Sequence, residues 1–242
     1  MPFAYFLPGA ALKPYIQSYW TLKGNDDTYD ILYPDGCIDM IVNLGGKFVV
    51  TQKGVVLEER GVYLGGALTE AIYEKIPAGV YLLGVRFAPG CFGHFYPSRL
   101  LSDLRDDCIQ VNSEFAPPTQ ELLQDPITAL DGFYTEKLAD FHHPVKDAAA
   151  KILQSGGNAT LNEIAAICRK SPRQTERIFK QHIGLTPKQF CRIVKYSCTQ
   201  ELLAARAPEE TILAIALAAG YYDHAHLARE YKRISRWTPS GK

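Results

Sequence analysis

The feature that most constrains this chain is a duplication in its second half. E-R-I-F-K-Q-H-I-G-L-T-P ends at Pro187 and A-R-E-Y-K-R-I-S-R-W-T-P ends at Pro239. Arg177 and Arg229, Phe179 and Tyr231, Lys180 and Lys232, Thr186 and Thr238, and Pro187 and Pro239 each stand 52 positions apart. Upstream, Ile164-Ala165 and Ile215-Ala216 match at 51, so the second copy has one more residue in its turn. Two copies are too few for a solenoid, which buries a continuous core only over three or more repeats. The pattern therefore predicts a duplicated module of two helices.

Helix signals fill in each copy. In the first, Thr160 and Glu163 have capping-box spacing before the apolar stripe of Leu161, Ile164, Ala165 and Cys168. After the turn Arg169-Lys170, Ser171 suits an N-cap, Pro172 a first helical residue and Gln174 the reciprocal cap, and Gly184 closes the helix. Thr175, Ile178, Phe179 and His182 form the inward row, and Arg173, Glu176, Arg177 and Lys180 form a second row on another face. In the second copy Thr211 opens a helix, Gly220 breaks it and Asp223 caps the next, whose outward row is Ala225, Ala228, Arg229 and Lys232. Between the copies, residues 187–206 read as one long helix with Phe190, Val194, Cys198 and Leu202 on its buried side.

The first half has a different grammar. Short β-branched and aromatic runs at 15–22, 37–44, 48–51, 62–64 and 80–87 alternate with turn signals such as Pro34-Asp35-Gly36 and Pro77-Ala78-Gly79. These predict a small antiparallel sheet or barrel. From Phe115 the apolar spacing becomes helical, interrupted at Pro126 and closed before Pro144. The fold class expected is α+β: a β-rich, barrel-like domain at 1–114, a helical connector at 115–145 and an all-α domain at 146–242.

Charge divides the same way. The formal net charge is zero, yet residues 1–144 hold 10 Lys and Arg against 18 Asp and Glu, and residues 145–242 hold 16 against 8. The −8 and +8 halves imply two jobs, one of them on a polyanion. No run of 18 apolar residues spans a membrane, the apolar start lacks a basic flank, and six scattered cysteines without a C-x-x-C pair read as reduced thiols. The expectation is a cytoplasmic protein.

On these residues, 146–239 resemble the DNA-binding domain of AraC-type transcription regulators, in which a linker helix joins two helix-turn-helix units. The match is carried by I-A at Ile164, R-x-F-K at Arg177–Lys180, G-L-T-P at Gly184–Pro187, I-A at Ile215, G-Y at Gly220 and R-x-Y-K at Arg229–Lys232. Y-P-D-G-C-I-D-M-I-V-N-L-G and G-V-R-F-A-P-G resemble a poorly characterised sensor domain found before such modules. The resemblance implies promoter duplex as partner, read by Arg173, Glu176, Arg177 and Lys180 of the first unit and by His224, Ala225, His226, Arg229 and Lys232 of the second. RNA polymerase and a second copy of the chain are further candidate partners. Arginine can pair with guanine in two places, and glutamate can accept from cytosine. The alternative for Glu176 is an ion pair with Lys180 one turn on. Three departures stand out: Thr175 where leucine is usual, Arg236 where the first copy has Gly184, and a chain ending at Lys242 where relatives usually continue. The last predicts a final helix lacking its cap, or a missing true end.

A small, largely apolar effector is expected in the first domain, with Trp20, Tyr33, Asp39, Tyr81, Arg86 and Phe87 as candidate contacts. Asp39 and Arg86 interrupt apolar strands, which suits either a polar anchor for a ligand or a structural pair. No metal or cofactor is expected: His224 and His226 diverge on a helix, and His94 and His142-His143 have no partner at ligand spacing. No G-x-S-x-G occurs, and Gly46-Lys47 lacks the earlier glycine and following hydroxyl of a phosphate loop. DNA-alkylation repair proteins share the module but need a Pro-Cys-His-Arg site or four zinc cysteines, and Cys91 lies between Gly90 and Phe92. A non-enzymatic interaction protein that has lost DNA binding is the other alternative.

Overall fold

The computed structural model describes residues 3–50, 54–141 and 143–239. Its strands are β1 (Phe3–Phe6), β2 (Ile16–Lys23), β3 (Thr28–Leu32), β4 (Ile38–Gly45), β5 (Phe48–Val50), β6 (Val55–Leu57), β7 (Val62–Gly65), β8 (Ile72–Ile76), β9 (Tyr81–Phe87) and β10 (Cys108–Val111). Six form one antiparallel sheet in the order β1-β2-β9-β4-β7-β10, and β3-β8 and β5-β6 form two separate pairs. The six-stranded sheet is open, with β1 and β10 as its edges.

Strand alternation sorts the sheet's residues between two cores. Met40, Val42, Leu83, Val85 and Phe87 point to one face, together with Tyr19, and join the main core. Trp20, Leu22 and Leu82 point to the other, where they meet Phe48, Leu57, Tyr63 and Ile76. The central strands are apolar on both faces because both are covered. On the main-core side lie α1 (Thr119–Gln124) and α2 (Pro126–Lys137), whose Leu122, Leu130 and Tyr134 are buried there. Asp125 caps α2 by accepting from the Thr128 N–H, and Pro126 takes the first helical position, so the interruption read at Pro126 is a helix start.

The rest is helical: α3 (Val145–Gln154), α4 (Leu161–Cys168), α5 (Pro172–Ile183), α6 (Pro187–Ala204), α7 (Ile212–Ala218) and α8 (His224–Ser235). Capping boxes form at Thr160/Glu163, Ser171/Gln174 and Thr186/Gln189, and Thr211 and Asp223 cap α7 and α8. Each satisfied cap is worth about 1 kcal/mol, which is why the boundaries follow the sequence closely. On α6, Phe190 and Val194 are buried as expected, but Leu202 is exposed and Cys198 half-exposed, while Ile193, Tyr196 and Thr199 are buried instead. The helix presents one face to the first unit and another to the second, so a single stripe does not describe it. The last helix does have a cap: Arg236 adopts the left-handed conformation (φ 69°) and its N–H donates to the Lys232 carbonyl. Residues 240–242 and His142 lie outside the described residues.

The helical units pack unequally. Ile164, Cys168, Ile178, Phe179, Ile183, Phe190 and Val194 belong to the same continuous core as the sheet. The second unit has a separate cluster of Ala216, Ala219, Tyr221 and Leu227.

Candidate DNA-reading face and effector cavity

The first helix-turn-helix is α4 and α5. Arg169 turns the chain with φ 50°, and the Ser171 box starts α5 with Pro172 in its first turn. Thr175, Ile178, Phe179 and Ile183 are buried, which leaves Arg173, Glu176, Arg177 and Lys180 all exposed along one side. Among the described residues no ion pair joins Glu176 to Lys180 within 4 Å, so the carboxylate is not consumed within its own helix. Thr175 is fully buried, and the Cys168 thiol is the group its hydroxyl faces.

The second unit is α7 and α8. Gly220 (φ 81°) makes the turn, and a Cβ there would fall 2.2 Å from the Asn158 Oδ1. His224, Ala225, Arg229 and Lys232 are exposed, and Ala228 is half-exposed. His226 is tied into the turn: its Nδ1 accepts from the Tyr222 N–H at 3.4 Å, and its ring stands edge-on to Tyr221. His224 is the freer of the two. Helix α6 holds this unit through an Arg192–Glu230 ion pair and a Lys195 ammonium that donates to the Gly220 carbonyl at 3.0 Å.

A cavity of about 510 Å³ lies on the second face of the sheet, bordered by β3, β8 and the loop 33–37. Trp20, Tyr33, Asp39 and Arg86 line it, together with apolar Phe3, Leu22, Ile41, Phe48 and Leu82. Asp39 and Arg86 stand directly opposite in the β4–β9 ladder. The Arg86 guanidinium donates to both Asp39 oxygens, at 3.1 and 3.0 Å, and meets Asp35 at 3.2 Å. The Trp20 indole N–H donates to the same Asp39 carboxylate at 2.8 Å. Asp39 beside it holds the Arg86 pKa well above its ordinary value. Burial pushes the Asp35 carboxyl up. Gly84 gives Trp20 its place, since a Cβ there would fall 2.0 Å from the indole.

Tyr81 and Phe87 are not at this cavity. They occupy the opposite parity of β9 from Arg86, so they turn to the main-core face, where Phe87 is fully buried against Phe92 and Tyr134. Alternation counted from Arg86 would have excluded both. The sequence reading missed Asp30 and Glu74 at the cavity, because each is a charged residue at the centre of a five-residue strand, and it took Asp35 only as part of a turn. Among the described residues no group of three or more His, Cys, Asp or Glu could hold a metal ion, and no helix is long and apolar enough to cross a membrane.

An open antiparallel domain with a cavity, joined to two helix-turn-helix units that share one linker helix, defines a two-domain helix-turn-helix protein. Residues 164–241 match a family described as helix-turn-helix domain, and residues 4–110 match a domain of unknown function (DUF6597). The chain carries an AraC-type helix-turn-helix domain behind that domain of unknown function. It is similar to an uncharacterized HTH-type transcriptional regulator of Haemophilus influenzae, 32% identical over 80 residues that make up 33% of this chain and 26% of the relative. It is also similar to the XylDLEGF operon transcriptional activator 3 of Pseudomonas putida, 24% identical over 98% of this chain and 65% of that protein. The chain thus spans about a quarter and just under two thirds of these two relatives. Similar solved structures include ToxT from Vibrio cholerae, with TM-score 0.48 and 12% identity over 91% of this chain and 94% of that one. Another is the C-terminal domain of AraT, a response regulator from Geobacillus stearothermophilus, with TM-score 0.38 and 23% identity over 42% and 84%.

Proposed function

We propose that this chain is a transcription regulator without catalytic activity, reading promoter duplex with α5 and α8 and responding to a small molecule in the sheet-domain cavity. The observation that carries this reading is the pair of capped helices displaying Arg173, Arg177 and Lys180 on one unit and Arg229 and Lys232 on the other, held by one linker helix. Glu176 repels phosphate, so its place in the first row favours contact with base edges over general attraction.

Selection of bound fragments from random duplexes by the full chain tests it. Two short preferred blocks about ten base pairs apart are expected, with affinity falling steeply as salt rises. No enrichment over an equally charged control protein would overturn it. Addition of RNA polymerase to the complex, and its mass by light scattering, test the two remaining partners, the polymerase and a second copy of the chain. The cavity suits a largely apolar molecule with a polar end, because its lining combines aromatic and aliphatic side chains with charged ones such as Asp39 and Arg86.

A further inference from the structure

Both reading helices end on carbonyls that the sheet domain supplies with donors. The last four carbonyls of a helix have no partner within it. On α5 the Gln181 carbonyl accepts from the Leu101 N–H at 2.9 Å, and on α8 the Ile234 carbonyl accepts from the Ala71 N–H at 2.7 Å. Across the repeat of 52 positions Gln181 corresponds to Arg233, the neighbour of Ile234. The sheet domain thus holds nearly the same place on each copy.

The two donors come from different loops, 66–71 after β7 and 88–107 after β9, and these loops are tied to each other. The Asp106 carboxylate accepts from the Thr69 N–H at 2.6 Å and from the Thr69 hydroxyl at 2.8 Å. The Gly66 N–H donates to the Asp107 carbonyl at 2.9 Å, and the Asp106 N–H to the Ala67 carbonyl at 3.2 Å. Gly66 is needed for this approach, since a Cβ there would fall 1.7 Å from the Leu104 carbonyl oxygen. Asp106 has φ 54°, a conformation that Asp and Asn tolerate better than most residues, and Arg105 meets its carboxylate at 3.7 Å. The same loops border the cavity through Gly65, Gly66, Leu68, Asp106 and Asp107.

The anchoring of the two helices differs. Phe179 and Ile183 of α5 share the main core with Ala67, Leu101 and Leu104 of the loops. The second unit has its own small core, and α6 holds it through the Arg192–Glu230 pair, the Lys195–Gly220 bond and Tyr196 against Tyr231. A route from α5 to α8 that bypasses α6 therefore runs through the tied loops. Resting on the DNA-reading proposal above, we infer that Asp106 and Thr69 are specificity-determining residues: their bonds join the two loops into one clamp that fixes how far apart and at what rotation α5 and α8 stand, and so which spacing of base-pair blocks the protein accepts.

The test titrates the full chain with duplexes carrying the two selected blocks at the preferred spacing and at spacings one and two base pairs shorter or longer. Each base pair moves a block by about 3.4 Å and turns it by about 35°, so a fixed pair of heads loses one contact set. The unmodified chain is expected to lose at least tenfold in affinity one base pair from the optimum. Asp106→Gly removes the acceptor and keeps the positive φ unstrained, and it is expected to discriminate among spacings by threefold or less. Asp106→Asn, which keeps an acceptor for the Thr69 N–H, is expected to retain the preference, and Thr69→Val replaces Asp106→Gly if the latter does not fold. Hydrogen exchange at the Ala71 amide reads the clamp without DNA, and is expected to be at least tenfold faster in Asp106→Gly. A spacing preference untouched by Asp106→Gly, an Asn variant behaving like Gly, or unchanged Ala71 exchange would overturn the inference and assign the spacing to α6. Specific binding without any spacing preference would overturn it and leave the DNA reading standing, whereas no specific binding by the unmodified chain would overturn both.

Discussion

Asp39 and Arg86 each interrupt an apolar strand, and each is there because of the other. A carboxylate with two guanidinium bonds and an indole N–H has its acceptor positions largely filled. Removing it leaves the partly buried arginine with Asp35 alone and the Trp20 indole N–H without its acceptor. Asp39→Ala is expected to cost about 2–3 kcal/mol in urea unfolding, the range for a lost hydrogen bond to a charged group with its partner left unmet. Thr175 presents the opposite case. Its fully buried hydroxyl has no hydrogen-bond partner, so Thr175→Val is expected to raise stability by about 1 kcal/mol and leave DNA affinity unchanged. The sequence made Asp39 and Arg86 conspicuous through their charge, but left open whether they pair or serve a ligand. They do pair, and the pair forms part of the cavity wall. Phe87 and Tyr81 were drawn in by their aromatic character alone, and the parity rule that separates them from Arg86 needs a confirmed strand before it can be applied.

At the scale of elements, the helices were legible because their ends are chemical. Ser171-Pro172-Arg173-Gln174 states a cap, a start and a reciprocal bond in four residues, and all three form. The strands missed were β1, β3, β6, β8 and β10, edges or short cover strands whose pairing depends on partners remote in sequence. The proposed reading roles of α5 and α8 give separable predictions: Arg177→Ala and Arg229→Ala are each expected to weaken specific binding by about 1–3 kcal/mol and to relax preference at positions about ten base pairs apart. Loss of preference at one shared position would contradict two separate heads. Helix α8 also ends on a non-glycine left-handed residue. Arg236→Gly removes a conformational cost of about 1–2 kcal/mol and gives up only an exposed contact with Glu70, so a higher melting temperature is expected. On α5, burial and then the neighbouring His143 pull the His182 pKa from 6.5 to about 4. The unfolded chain takes up that proton near pH 6.5 and the folded chain does not, so the stabilisation is complete above 6.5 and is lost as pH falls toward 4. Urea midpoints measured from pH 7 to 4 are expected to fall less steeply in His182→Gln.

Across the whole molecule the sheet domain touches α5, α6 and α8 of the helical half. The Leu101 N–H donates to the Gln181 carbonyl on α5, Tyr33 packs on Tyr196 of α6, and the Ala71 N–H donates to the Ile234 carbonyl on α8. None of this was visible in the sequence, because each contact joins segments remote along the chain through backbone groups or single rings. Gly36 is its tightest point: at φ 79°, a Cβ would approach the Phe190 ring to 2.4 Å. Gly36→Ala is expected to lower the melting temperature by a few degrees and to make DNA affinity indifferent to any cavity ligand, as read by titrating labelled duplex with and without it. The separate four-residue cluster of the second unit carries a kinetic consequence. A unit with so small an apolar core opens far more often than the rest of the chain, and its amides should exchange with solvent well before those of α5. On a duplex, the first unit would then set where the protein lands, and the second, closing last and opening first, would set how long it stays.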